Sequence, residues 1–180
     1  IETLVAFSGE VEDPDSAPEP LAETSARMNP RLRGRGIREA AAVLEEVAAS
    51  GAAMNGASAL HMSIFGMQPV IRHGSEQMRR RFLPAVADGS LHVAFGVTEP
   101  DAGTDTSRIT TRAVRDGDHY VITGRKVWTS KALEAHRILL LTRTTPLDQC
   151  RRPTDGMTLF LVDKHSPGVG VAPIPKMGRT

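Results

Sequence analysis

At 180 residues, 40 % hydrophobic and 24 % charged, the chain has apolar mass for one ordinary domain or two small ones, and its composition excludes disorder throughout. Lys and Arg number 22 against 21 Asp and Glu, a formal charge of +1 that gives no global attraction to nucleic acid or to an anionic membrane. The single cysteine, Cys150, excludes an intramolecular disulfide framework, argues against a thiolate metal site and suits a reducing, cytoplasmic setting.

In chain order, Ile1 stands where an initiating Met would, which points to a piece of a longer chain, and neither a leader nor an apolar run of the ~20 residues that cross a bilayer is present. Residues 8–30 hold four prolines and six acidic residues and read as loop or linker, running on through "RLRGRG" (Arg31, Arg33, Arg35) as a solvated basic loop to residue 36. From Ile37 to Ala49 the Ala, Val, Leu and Glu content forms a helix, with Ala40, Val43, Leu44 and Val47 on one core-facing side. "AAMNGASALHMSIFGMQPVIRHG" follows as a packed helix in which Met54, Met62 and Met67 fill core gaps. Ser75 is placed to cap a further helix with Glu76 in its first turn, a buried side of Phe82, Leu83 and Val86, and a stop at Gly89.

After Gly89 the period changes. "LHVAFGVT", "RITTRAVRDGDHYVITGRKVWTS", "RILLLTRT" and "GMTLFLVDK" are short, rich in Val, Ile, Thr and aromatics, and bounded by Gly, Asp and Pro, as strands are. "RDGD" is a hairpin signal, and "SKALEAH" supplies one short helical turn. The expected class is α+β, with a helical N-terminal domain over 1–90 (loop 8–36) and a mostly antiparallel, barrel-like β-domain over 91–180.

The densest chemistry lies in "AFGVTEPDAGTDTSR", residues 94–108. A Gly among Thr98, Thr104, Thr106 and Ser107 offers backbone N–H groups and hydroxyls that can hold a phosphate or the polar edge of a heteroaromatic ring. A hydrophilic loop that satisfies its own backbone has the same composition, and no GxGxxG or Walker-type glycine pattern decides between them. Glu99 and Asp105 read as caps of nearby N–H groups and not as an acid/base pair. The six histidines form no closely spaced pair, so no metal site is expected.

"VTEPDAGTD" followed by "GRKVWTS" resembles the acyl-CoA dehydrogenase family, and the similarity extends through "HGSEQMRRRFLPAVADGSLHVAFGVTEP" and "GMTLFLVDKHSPGVGVAPIPKMGRT" to cover residues 37–180. The resemblance implies a helical domain, a β-domain and a second helical domain absent from this chain, with FAD held between domains and subunits. It implies oxidation of the Cα–Cβ bond of a fatty acyl-CoA to the 2,3-enoyl-CoA, by α-proton removal and hydride transfer to flavin N5. Carried over residue by residue, FAD contacts fall on Phe95, Gly96, Val97, Thr98, Glu99, Pro100, Asp101, Ala102, Gly103 and Thr104, and on Trp128, Thr129 and Ser130. Thr104 would also serve the CoA side of the substrate, Trp128 would lie against the isoalloxazine, and Ser130 would bond near N5 or O4. Arg108 departs from the small residue usual there, and the catalytic Glu falls in the absent domain, so the catalytic residue within this chain is unknown. A homo-oligomer, dimer or tetramer, and electron-transferring flavoprotein as acceptor complete the implication. A flavin monooxygenase or oxidase on the same scaffold, and a non-catalytic binding module, are the alternatives.

Overall fold

The run Ile138, Leu139 and Leu140 is buried on successive residues and therefore on both faces of its strand, the pattern of a sheet centre. In the computed structural model, which describes residues 3–12 and 37–175, that strand has neighbours along both edges. Numbered in chain order, the strands are β1 (Thr3–Glu12), β2 (Val93–Gly96), β3 (Arg112–Asp116), β4 (His119–Lys126), β5 (Arg137–Arg143), β6 (Met157–Asp163) and β7 (Val169–Pro173). β6 runs antiparallel along one edge of β5; on the other edge β2 lies parallel to residues 137–140 and β3 meets Arg143, also in parallel. β2 and β3 thus share one edge of β5 end to end, and the chain between them, 97–111, leaves the sheet and returns to it.

β3 and β4 form the expected hairpin, with Gly117 at φ 64° in the turn. The sheet continues through β1, antiparallel to both β4 and β7, and stops there. It is mixed and open, which corrects the barrel-like expectation: β6 and β7 end the sheet on opposite sides and do not pair with each other. A second difference concerns Thr3–Glu12, placed by composition within a helical region with a loop from residue 8, which instead joins the sheet. Its β-compatible Leu4, Val5, Phe7 and Val11 run directly into the acidic, proline-rich stretch, and that stretch dominates the local composition. The rest of the linker with "RLRGRG", and the closing "KMGRT", lie outside the described residues.

The described chain falls into two compact units, 3–12 with 91–175, and 37–90. In the second, α1 (Ile37–Val47) is followed by a π-type segment (Ala48–Ala52) with Gly51 at φ 92°, then α2 (Ala53–Gly66), α3 (Gln68–His73) and α4 (Glu76–Ala87). The single packed helix expected over 52–74 is divided at Met67, just before Pro69, whose ring suits a first helical turn. Met67 is buried as expected and Met62 half-buried, but Met54 is exposed. On α1, Ala40, Leu44 and Val47 are half-buried and Val43 exposed. α4 starts as expected, the Met78 N–H donating to Ser75 Oγ at 3.2 Å and Glu76 pairing with Arg79 and Arg80, and Gly89 follows it at φ 81°. No helix of the described residues is long and apolar enough to cross a membrane.

In the sheet unit the pleat sends Ala94 of β2, Ala113 of β3, Ile122 of β4, Ile138 and Leu140 of β5 and Phe160 and Val162 of β6 into one core, joined by Ala132 and Ala135 from the turn before β5. Tyr120 packs edge-on to Phe160 at 4.9 Å, and Val169 and Val171 of β7 cover the same cluster. Gly124 of β4 faces Thr111 so closely that a Cβ would come within 2.6 Å of its Cβ and 2.7 Å of its Cα. Gly124→Ala is expected to destabilise the protein by about 1–3 kcal/mol, since backbone must move, whereas Gly170→Ala, with nothing within 4 Å of the new Cβ, should stay within about 0.5 kcal/mol of wild type. Urea midpoints of the two variants test the contrast.

Candidate functional site

On β4 the residues Tyr120, Ile122, Gly124 and Lys126 share the inward face, so the strand's period of two carries a lysine into the core. Lys126 is fully buried, and its ammonium donates to Glu99 Oε1 at 2.8 Å and to the Val97 carbonyl at 2.9 Å. Glu99, also buried, accepts in addition from Thr110 N (2.7 Å), Thr110 Oγ1 (2.8 Å) and Thr111 N (2.9 Å). Such a pair is tolerated in a core because the remaining carboxylate lone pairs are also satisfied. The lysine stem passes beneath Gly96, where a Cβ would stand 3.4 Å from Lys126 Cγ and 3.2 Å from Leu140 Cδ1; the glycine leaves the lysine its corridor.

Burial pushes the Glu99 carboxyl up, but the hydrogen bonds from Lys126, Thr111 and Thr110 outweigh it and hold the group at about 2. Burial pulls the Lys126 ammonium down, opposed by the Glu99 carboxylate. A carboxylate so acidic is a poor proton acceptor near neutral pH. Asp105 is exposed and its carboxyl is lowered chiefly by the Ser107 hydroxyl; it caps the short 3-10 turn Thr106–Arg108 by accepting from Ser107 N at 3.1 Å. Asp105 thus caps its own turn, whereas Glu99 pairs with Lys126 and accepts from residues 11 and 12 positions along the chain.

The same knot positions the other candidates. Val97 is held through its carbonyl by Lys126, and Thr98 through its carbonyl by Val127 N at 2.9 Å, which sets Thr98 beside the residue preceding Trp128. Glu99 and Ala102 exchange backbone hydrogen bonds of 3.0 and 3.2 Å and close a turn with Pro100 and Asp101 at its exposed tip. Gly103 and Thr104 lie exposed beyond that turn, and Phe95 faces away from the core on β2, 37 % exposed. Thr129 is buried and Ser130 half-buried. Trp128 has φ 60° and is 53 % exposed. The turn after it closes through Glu134 N and Ala135 N on the Lys131 carbonyl, and Lys164 Nζ donates to Leu133 O at 2.6 Å.

The structure thus gathers Val97, Thr98 and Glu99 with Lys126, Val127 and Trp128, and leaves Gly103 and Thr104 on the open part of the loop. Sequence reasoning passed over Lys126 and Arg143 as site-forming residues. The signal for Lys126 was its place in the inward register of β4, where a lone cation demands a partner; Arg143, last in an apolar strand, carried the same signal. Among the described residues no group of three or more His, Cys, Asp or Glu could hold a metal ion.

Residues 31–90 match the family profile "Acyl-CoA dehydrogenase, N-terminal domain" and residues 94–180 match "Acyl-CoA dehydrogenase, middle domain". Acyl-CoA dehydrogenase FadE29 of Mycobacterium tuberculosis is 45 % identical over 102 residues, 57 % of this chain and 26 % of that protein. Among solved structures, the Tcur3481-Tcur3483 steroid ACAD superposes with TM-score 0.61 at 36 % identity, over 64 % of this chain and 30 % of that one. An FAD complex of PigA superposes with TM-score 0.61 at 28 % identity, over 67 % and 31 %. The chain spans between a quarter and about a third of the length of its curated relatives, 26 to 35 %.

Lys126→Met leaves the Glu99 carboxylate buried without its counter-charge and is expected to destabilise the protein by about 3–5 kcal/mol, while the double variant Glu99→Gln/Lys126→Met should lose less than the sum of the two single changes. Because the folded-state value of Glu99 lies near 2 against an ordinary 4.5, its stabilisation is complete above pH 4.5 and is lost as pH falls from there toward 2. Urea midpoints at pH 7, 4.5 and 3 should fall steeply only over the last interval, and the double variant should show a shallower fall.

Proposed function

The chain belongs to the acyl-CoA dehydrogenase family, and from that premise we propose that the whole protein is a FAD-dependent dehydrogenase of acyl-CoA thioesters. The observation that carries this reading is Trp128. A bulky residue at φ 60° is strained, on the order of 1–3 kcal/mol, and an indole that is half exposed recovers little of that by burial. A strained, outward-facing indole beside a knot of buried polar bonds fits a flat aromatic ligand.

The donor set fits FAD as well. Trp128 offers the isoalloxazine an apolar face, with Phe95 and Val97 as further apolar contacts. Thr98, Thr129 and Ser130 provide hydroxyls for the ring's polar edge, Ser130 being assigned to the N5 and O4 side, where charge develops on reduction. Gly103 lets backbone come close, and Thr104 serves a cofactor phosphate and the CoA side of the substrate. When bound, FAD supplies the acceptor for the hydride that leaves the β-carbon as the α-proton departs to a base.

Within this chain the work is binding and orientation. Lys126 and Glu99 fix Val97 and Thr98, and Val127 N fixes Thr98 against the segment that bears Trp128. On family membership the base is assigned to a carboxylate outside residues 1–180; within the chain, Glu99 is paired with Lys126 and Asp105 is engaged as a cap. The same proposal includes a two-fold homo-oligomer and electron-transferring flavoprotein as acceptor, both resting on family membership, and a cytoplasmic location, resting on the single cysteine. For the acyl group, a polycyclic acyl-CoA stands beside the fatty acyl-CoA, on the 36 % identity to the steroid ACAD.

The whole protein, purified and freed of excess FAD, should show a flavin absorbance band and form enoyl-CoA from straight-chain or steroid acyl-CoA with an artificial electron acceptor. A colourless protein without FAD affinity would overturn the reading, and turnover with oxygen alone would make it an oxidase. Trp128→Gly separates binding from folding. Glycine accepts the positive φ, so the urea midpoint should hold or rise, while lost ring contact of about 1–3 kcal/mol weakens FAD binding roughly 5- to 150-fold in the dissociation constant. An unchanged dissociation constant beside a collapsed midpoint would assign Trp128 to the core.

A further inference from the structure

Arg143 closes β5 as a buried cation whose hydrogen-bond partners are backbone carbonyls. Nε donates to Ile109 O at 3.1 Å, Nη1 to Asp155 O at 3.3 Å, and Nη2 to Ser107 O and to Pro153 O, the latter at 2.6 Å. Its own backbone N–H donates to Thr111 O at 2.8 Å. One side chain therefore holds two loops: the returning limb of 97–111, at three carbonyls with the backbone bond included, and the segment 153–155 before β6. Taking a guanidinium out of water without a carboxylate partner is costly, and an aliphatic residue would fill the end of an apolar strand more cheaply. What an aliphatic residue cannot do is gather four carbonyls from two directions, and neither can an ammonium, which lacks the planar fork of five donors.

We infer that Arg143 is a positioning residue: it anchors the returning limb of loop 97–111 and thereby sets where Gly103 and Thr104 stand for cofactor and acyl-CoA. The inference rests on the proposed function for its ligands, but not for its geometry. Lys126 fixes the departing limb at Val97 and Glu99, Glu99 ties that limb to the returning one at Thr110 and Thr111, and the Arg143 guanidinium alone among these anchors holds the returning limb further out, at Ser107 and Ile109. The exposed residues 103–105 are suspended between the Lys126 and Arg143 anchors. Release of the second leaves the first intact, so β2, Thr98 and the Trp128 segment keep their places while the CoA-facing end of the loop loses its own.

The test uses the whole protein with Arg143→Lys and Arg143→Ala, read in two independent ways. Amide hydrogen exchange, without added flavin or substrate, should speed up at Ser107, Arg108 and Ile109 in both variants, with Val127 and the β4–β5 core unchanged. Guanidinium at concentrations below those that unfold the protein should restore protection in Arg143→Ala and not in wild type, compared with potassium chloride of equal ionic strength. In the FAD-loaded enzyme, KM for acyl-CoA should rise about tenfold or more with a smaller change in kcat, in line with the cost of misplacing a binding group. Uniform exchange across the sheet, or unchanged KM in a variant with a lowered unfolding midpoint, would reduce Arg143 to a stability role and overturn the inference. A wild-type protein that binds no FAD would defeat the proposed function alone, and the exchange pattern with guanidinium rescue would still decide whether Arg143 anchors the limb.

Discussion

A lysine and a glutamate buried together at the point where the chain leaves the sheet are the constraint on which the site depends. Lys126 is delivered by the pleat of β4 and Glu99 by the exit from β2, and the two ends meet only if β2 and the β3–β4 hairpin are both in register along the same edge of β5. Neither charge has an alternative partner in the core, so any shift of β2 relative to β4 would strand both. The pair is better understood as a register lock than as a source of net stability. Its secondary bonds, to Val97, Thr110 and Thr111, convert that lock into a defined path for the loop.

The loop from 97 to 111 divides its labour along its length. Its two ends are held by hydrogen bonds at Val97, Thr98 and Glu99 and at Ser107, Ile109, Thr110 and Thr111, and its middle, Pro100 to Asp105, is exposed apart from Ala102. Such a division reconciles two opposing demands on a binding loop: backbone groups must be free to meet a ligand, yet their positions must be settled beforehand so that binding is not charged with ordering them. Sheet residues supply the settlement, and the short, small-residue tip supplies the freedom.

Much of this was legible in the sequence, and the exceptions have physical reasons. The cap at Ser75, the Asp-Gly hairpin, the apolar centre of β5 and the family motifs each depend on a few adjacent residues, which is the kind of information a linear reading holds. The strand Thr3–Glu12 escaped because its pairing partners lie more than a hundred residues away and its neighbour in sequence is proline-rich. Openness of the sheet escaped because closure is decided by whether two edges meet, and no local pattern records that. Met54 was read as core because helical spacing reports which residues share a face, not whether anything covers the face. At the site, Glu99 was read as a cap of nearby N–H groups, whereas its partners are Lys126 and the N–H groups of Thr110 and Thr111, out of reach of a linear reading, as was the conversion of Lys126 and Arg143 from strand residues into anchors.

Trp128 has a consequence of an optical kind. It is the chain's one tryptophan, and it faces outward. An indole 53 % exposed emits closer to the unfolded chain than a buried one does, so emission wavelength reports loss of the core only weakly. Under the proposed function the flavin would cover the same chromophore, and quenching or a blue shift would report occupancy of that face directly. Tyr120, packed edge-on to Phe160 in the core, is the complementary reporter, so the two chromophores separate loss of the core from events at the outer face.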